Sequence, residues 1–407
     1  MRRRKRGIAL AGGGPLGAIW EIGALVALDE ALAGLDFTGC DVFVGVSSGA
    51  FIAAGLANGI EPRTMHRMFI ESAAADEALD PDLLLRPALG EFARCVATLP
   101  ELLIKAAGRT VGVPLSREHL DPLQELARVL PLGVFDNAGV GDYLAGIFSA
   151  PGRTNDFRQL SGRLFLVATD LDTAEAVGFG SPGWDDVPIA RAVQASAALP
   201  GLFPPVEIRG RHFVDGVLTK TLHASAALRA GADLVLCINP LVPFNADLAE
   251  HRTHRKRISP AERGLPSILS QSLRSLINSR MQVGMGRYKK EFPDADIVLF
   301  EPSRGDTEMF FTNIFSYGGR HRLSEHAYRM TRAELRRRAE ELNPILARHG
   351  IQLDQSILAD RTRRLDRSRG RSGRWHAKSP GQVALELGQV LDDLDAFLKS
   401  RNTTPAA

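Results

Sequence analysis

The sequence predicts an α/β fold, and three observations carry that expectation. Short apolar runs bounded by glycine or charge alternate with longer helical patterns. Two of those runs, residues 7–11 (GIALA) and 42–46 (VFVGV), lead straight into glycine-rich turns that open helices. At 407 residues, 44% hydrophobic and 24% charged, the chain can bury one large α/β core or two smaller ones.

Residues 7–11 give the first expected strand. Gly12-Gly13-Gly14-Pro15-Leu16-Gly17 follows, then an apolar-faced helix over 18–32. Consecutive glycine amides at a helix N-terminus can converge on one negative oxygen. The same loop also fits the dinucleotide fingerprint Gly-x-Gly-x-x-Gly, which requires an acid at the end of the second strand to hold a ribose. In this chain Asp36 and Asp41 precede the second strand, and the strand ends in Gly45-Val46-Ser47-Ser48-Gly49.

That pentapeptide is a Gly-x-Ser-x-Gly elbow. A sharp strand-to-helix turn holds its serine in a strained conformation with the hydroxyl exposed, and Gly45 and Gly49 stand where side chains would collide. The frame selects Ser47 as nucleophile, because Ser48 would need glycines where Val46 and Ala50 stand. Alone, the pattern also fits an ordinary glycine-serine turn. Beside a glycine loop it supplies the parts of acyl transfer, with Gly12, Gly13 and Gly14 as an oxyanion hole.

Between 61 and 130 the pattern is helical and less regular. Residues 62–73 read as one amphipathic helix and 116–129 as another. Residues 83–107 are strongly apolar although Pro87 and Pro100 interrupt them, which suits a lid, a lipid-facing surface or helices laid over the sheet. Alternation resumes with strands at 164–169 and 176–179 and a small-residue helix at 187–199. A strand at 211–214 then runs into Asp215-Gly216, followed by a helix at 222–230 and a strand at 233–238. An acid at a strand end, followed by glycine, lies where active sites of such folds assemble. Helices are expected over 265–290 and 323–348, around a last strand at 296–300. The expected organisation is a basic tail at 1–6, one domain at 7–350 with its motifs in 7–230, and an Arg-rich extension at 351–407 ending in a helix over 381–398.

Cys40, Cys95 and Cys237 are scattered with no CxxC pair, which suits a reducing compartment, and the ten histidines show no metal-ligand spacing. No metal and no cofactor are expected. Basic clusters at 1–7, 251–257 and 361–374 lack the interleaved aromatics that stack bases, so anionic lipid is a better partner than nucleic acid. Residues 1–20 mimic a secretory signal, yet cleavage there would disrupt the glycine loop, and no apolar run reaches the ~18 residues that span a bilayer. The expectation is a cytoplasmic protein, either soluble with solvated basic segments or in peripheral contact with anionic membrane.

With the glycine loop, the Ser47 elbow and Asp215-Gly216 in this order, the sequence resembles the patatin-like phospholipases, particularly their bacterial members. Residues 195–206 (ASAALPGLFPPV) are similar to the helix end and proline turn that precede the acid in that family. The resemblance covers roughly residues 7–230. It implies a three-layer α/β/α sandwich around a mostly parallel sheet, and a lipid or acyl-ester substrate. It also implies Ser47 as nucleophile, Asp215 as base of a Ser–Asp dyad, Gly12, Gly13 and Gly14 as oxyanion donors, and Gly17, Gly45, Gly49 and Gly216 as supporting glycines. One departure is visible, since the family commonly has Gly or Ala where Val217 stands.

A serine hydrolase of lipid acyl esters is therefore the expected activity. Transfer of the acyl group to another alcohol would use the same parts. An ordinary α/β-hydrolase would place its elbow after several strands and use a late histidine; His212 precedes the acid, and His223 falls within an expected helix. A silent lipid-binding protein, suggested by Val217, and a nucleotide oxidoreductase are the remaining alternatives.

Overall fold

The computed structural model describes residues 4–71, 131–253, 259–312 and 317–365, with Arg86, Ala88 and Cys95 between the first two segments. The expected apolar segment at 83–107, the helix at 116–129 and the terminal helix at 381–398 fall on residues outside these, apart from Arg86, Ala88 and Cys95. The same holds for most of the three basic clusters.

Among the described residues ten strands form, in the chain order β1 Arg6–Leu10, β2 Leu32–Ala33, β3 Val42–Val46, β4 Arg163–Asp170, β5 Ala176–Phe179, β6 Val206–Ile208, β7 Arg211–Asp215, β8 Leu234–Ile238, β9 Asp296–Phe300 and β10 Gln352–Leu353. Eight of them make one sheet in the order β6-β7-β4-β3-β1-β8-β9, with β5 also paired to β4. β1, β3, β4, β8 and β9 run parallel. β5 and β7 lie antiparallel to β4, and β6 antiparallel to β7.

The helices that matter here are α1 Gly14–Ala31, α2 Ser48–Ala57, α3 Ile189–Ser196, α4 Ala224–Arg229, α5 Leu265–Glu291, α6 Tyr317–Arg337 and α7 Ala339–Arg348. Alternate residues of the buried strands face opposite helical layers, as the period of two requires. Ile8, Leu10, Phe43 and Leu236 pack with α1, α2 and α3; Ala9, Val44, Val235 and Cys237 pack with α4 and with Tyr288 of α5. This is the three-layer α/β/α sandwich expected from the sequence. Chain order places β3 on one side of β1 and β8 on the other, so the connections diverge at the C-terminal end of β1. Sites of open α/β sheets gather at such a switch point.

Three differences have local causes. The expected helix at 323–348 divides at Arg338, whose guanidinium bonds the Leu299 carbonyl of β9 at 2.8 Å, and Pro344 lies inside the second segment. β6 was hidden inside a proline-rich turn; it forms a hairpin with β7 through Arg209 and Gly210, both at positive φ, as a two-residue hairpin turn demands. The first long helix starts at Gly14 rather than at 18, because Pro15 is well suited to a first turn that needs no amide there. Past residue 350 the chain adds β10, which pairs antiparallel with β2, and Leu358 and Leu365 are buried.

The core makes a direct stability forecast. Phe43 is fully buried on a central strand, so Phe43→Ala should cost about 3–5 kcal/mol. Truncating the exposed Leu171 should change less than about 0.5 kcal/mol. Denaturant midpoints at constant slope give both values.

Candidate active site

Ser47 follows β3 as the cap of α2, at φ 53 and ψ −123, a strained backbone for a residue with a side chain. The surroundings hold it there. Its amide donates to the Ser196 hydroxyl at 2.9 Å, Ser196 in turn donates to the Val167 carbonyl at 2.6 Å, and the Ser47 carbonyl accepts from the Ala50 amide at 2.9 Å. Side chains at the flanking glycines have no room. A Cβ on Gly45 would stand 2.5 Å from Ala50 Cα, and one on Gly49 would stand 2.5 Å from the Leu10 carbonyl and 2.6 Å from that of Ala11. That second approach seats α2 against the end of β1, and so joins the elbow to the glycine loop.

Within the loop, Gly14 has φ +60, while a Cβ on Gly12 would sit 3.0 Å from Ser47 Cβ. Pro240, just past β8, crowds Gly13 and Gly17 at 2.7 and 3.0 Å from ideal Cβ positions, which fixes the loop from behind. Among the described residues, no protein acceptor takes the amide of Gly12, Gly13 or Gly14. These donors sit at the positive end of α1, where negative charge is favoured.

Asp215 ends β7. Its amide donates to the Ala198 carbonyl at 2.9 Å and its carbonyl accepts from the Thr169 hydroxyl at 3.1 Å, so the turn after α3 positions the acid. A Cβ on Gly216 would lie 2.2 Å from the Val167 carbonyl, which explains the glycine that follows. The carboxyl accepts from the Val217 amide at 2.9 Å, and the Ser47 hydroxyl beside it acts to hold its pKa down. Burial outweighs both and pushes the pKa up to about 7. Val217 contributes to that burial: it packs with Val46, Val167, Leu241 and Ile277 in a separate apolar cluster.

Ser47, 6% exposed, and Asp215, 2% exposed, open onto one cavity of about 280 Å³. Gly13, Gly14 and Ser48 share its wall, and Phe51, Val193, Leu202 and Phe203 make most of the rest apolar. Gly12 stands behind Ser47 rather than on the wall, and Gly17, Gly45, Gly49 and Gly216 support the site from beneath. Leu273 and Arg274 of α5 also line the cavity. Sequence reasoning missed them, as it missed Ser196, although Ser196 is the one hydroxyl in the small-residue run at 195–206.

Among the described residues that line this cavity there is no histidine. His212 is half exposed beside Asp172. His223 is half-buried at the start of α4, lines a different cavity, and has its pKa lowered to about 3, first by desolvation. No cluster of three His, Cys, Asp or Glu able to hold a metal occurs among the described residues.

Residues 8–228 match the family described as patatin-like phospholipase. Among solved structures, the chain is similar to VipD from Legionella pneumophila at 17% identity, covering 61% of this chain and 52% of that one with a TM-score of 0.29. It is also similar to the type III effector ExoU of Pseudomonas aeruginosa, at 18% identity, 82% and 53% coverage and a TM-score of 0.33. Human GIVD cytosolic phospholipase A2 matches at 16% identity, 64% and 44% coverage and a TM-score of 0.25. The chain spans about half the length of these structures.

Folding raises the Asp215 pKa from 3.8 to about 7, so between those values the native state holds a proton that the unfolded chain has released. The stability tied to that proton is complete below about pH 4 and is lost as pH rises through about 7. Asp215→Asn should therefore show a flatter unfolding free energy than the wild type across this window. Denaturant melts at several pH values give the comparison; parallel curves would mean that Asp215 titrates normally.

Proposed function

The chain belongs to the patatin-like phospholipase family, and from that premise we propose that it is a serine lipid acyl hydrolase of the phospholipase A, lysophospholipase or carboxylesterase type. The observation that carries the reading is one apolar cavity shared by Ser47, Asp215 and the amide-bearing Gly13 and Gly14.

As Ser47 Oγ attacks the ester carbonyl, the Asp215 carboxylate takes its proton. Negative charge gathers on the carbonyl oxygen, within reach of the glycine-loop amides. Collapse of this intermediate breaks the bond to the leaving alkoxide, which receives the proton from Asp215 and departs as the alcohol. Water then attacks the acyl-enzyme and gives its proton to Asp215, and release of the fatty acid returns that proton to Ser47. A carboxylate of ordinary pKa is a weak base, and burial raises Asp215 toward the working pH.

Lipid contact is assigned here to the outer face of α5. Leu269, Leu276 and Val283 recur every seven residues and are 60%, 59% and 59% exposed, while Leu273 on the same helix lines the cavity. A seven-residue spacing keeps side chains nearly on one helix face, and an exposed apolar row beside a lipid-cleaving site suits peripheral binding. With phosphatidylglycerol vesicles, Leu269→Asp and Leu276→Asp should each weaken co-sedimentation about threefold to tenfold, corresponding to roughly 1 kcal/mol of lost burial. Unchanged sedimentation of both would remove α5 as the contact face.

For the chemistry, Ser47→Ala should abolish labelling by a neutral alkyl fluorophosphonate and ester turnover. Asp215→Asn should slow labelling by ~100-fold or more, the scale of a lost general base. His212→Ala and His223→Ala should stay within about tenfold, and chelator should have no effect. A folded histidine variant as slow as Asp215→Asn would refute the dyad.

A further inference from the structure

Arg274 is 9% exposed, yet it lines the cavity that holds Ser47 and Asp215. Its guanidinium uses two donors on neutral oxygens, with Nη1 at 3.3 Å from the Val242 carbonyl and Nε at 3.4 Å from the Ser270 hydroxyl. Its Cζ lies 5.1 Å from the centroid of the Phe310 ring. Among the described residues no carboxylate pairs with it and Nη2 has no acceptor. Burial alone, with no opposing charge, lowers its pKa to about 10, so it remains cationic at neutral pH. Two long bonds and a ring face replace little of a guanidinium's hydration, and an unpaired buried charge is costly.

The contrast with Arg332 on α6 separates a structural arginine from this one. Arg332 is 2% exposed and donates to the carbonyls of Ile357, Asp360 and Arg363, which fastens the segment after β10, and it is not among the residues lining the Ser47 cavity. Arg274 has free donor capacity on the wall where substrate must enter.

We propose that Arg274 is the anion-recognition residue of this site, binding a negatively charged oxygen group carried by the acyl lipid. The proposal rests on the hydrolase reading of the cavity. Two sources offer that chemistry: a phosphate next to the scissile ester, or the carboxylate of the released fatty acid. Either would take Nη2 and supply the missing counter-charge, and a planar fork of donors suits both.

The test uses the full chain and three probes of one chain length: dodecyl phosphate, dodecanoate and dodecanol. Calorimetric titration should show wild-type protein binding at least one anion more tightly than the alcohol. Arg274→Gln should lower that anion-over-alcohol preference by ~10–100-fold, the worth of a hydrogen bond to a charged group. Arg274→Lys should retain part of it, and Arg329→Gln, an exposed arginine of α6 that loses the same charge, should retain all of it. A larger loss for dodecyl phosphate identifies the headgroup phosphate as the source; a larger loss for dodecanoate identifies the product acid. An unchanged preference in Arg274→Gln, or no preference in the wild type, overturns the proposal. Fluorophosphonate labelling of the same samples reads Ser47 separately, so a labelled wild type with an unchanged preference refutes only the role of Arg274. An unlabelled wild type refutes the hydrolase reading instead. Unfolding midpoints and labelling of Arg274→Lys guard against a variant that merely fails to fold.

Discussion

The whole site depends on one backbone contact, the seating of Gly49 against the carbonyls of Leu10 and Ala11. It locks the first turn of α2 onto the end of β1, two strand ends that pair in parallel register through Leu10 and Gly45. From that contact, Ser47 and the glycine loop follow at fixed distance, since each begins where its strand stops. A methyl group there would push the helix off the strand, because the opposing atoms are backbone and cannot rotate away.

Around this junction the protein builds an apolar shell, and the shell sets the protonation of Asp215. Val46, Val167, Val217, Leu241 and Ile277 form an apolar cluster of which Val217 and Leu241 share the cavity wall with Asp215, and loss of hydration raises its pKa more than the Ser47 hydroxyl and the Val217 amide lower it. Val217, the departure from the family's usual small residue, belongs to this shell and also lends its amide to the carboxyl. Its position is compatible with an occupied core and a working acid together. Strain at Ser47 is balanced in the same region by Ser196, which bridges the Ser47 amide and the Val167 carbonyl.

The third contributor is α5, a helix some fifty residues after the acid in the chain. Ile277 completes the shell, Leu273 and Arg274 line the cavity, and Arg280 reaches the Leu218 carbonyl at 3.1 Å on the turn that follows Asp215. The site is thus closed by a segment outside the stretch that the family match covers.

By itself the sequence determined the local pieces. Apolar runs of four to eight residues gave the strands β1, β3, β4, β8 and β9, and glycine spacing selected Ser47 over Ser48, because those signals arise from backbone sterics within a few residues. Asp215 was legible as an acid at a strand end. Tertiary structure decided what depends on distant partners: the β6–β7 hairpin, whose turn carries an arginine at positive φ; the break at Arg338, made by a carbonyl of β9; and the role of Ser196, which needs Val167 beside it. Arg274 is the clearest case. In the sequence it is one charge on a long helix, and only the packing of Ile277 against Val46, Val167 and Val217 brings that charge to the wall of the Ser47 cavity, with no counter-ion among the described residues.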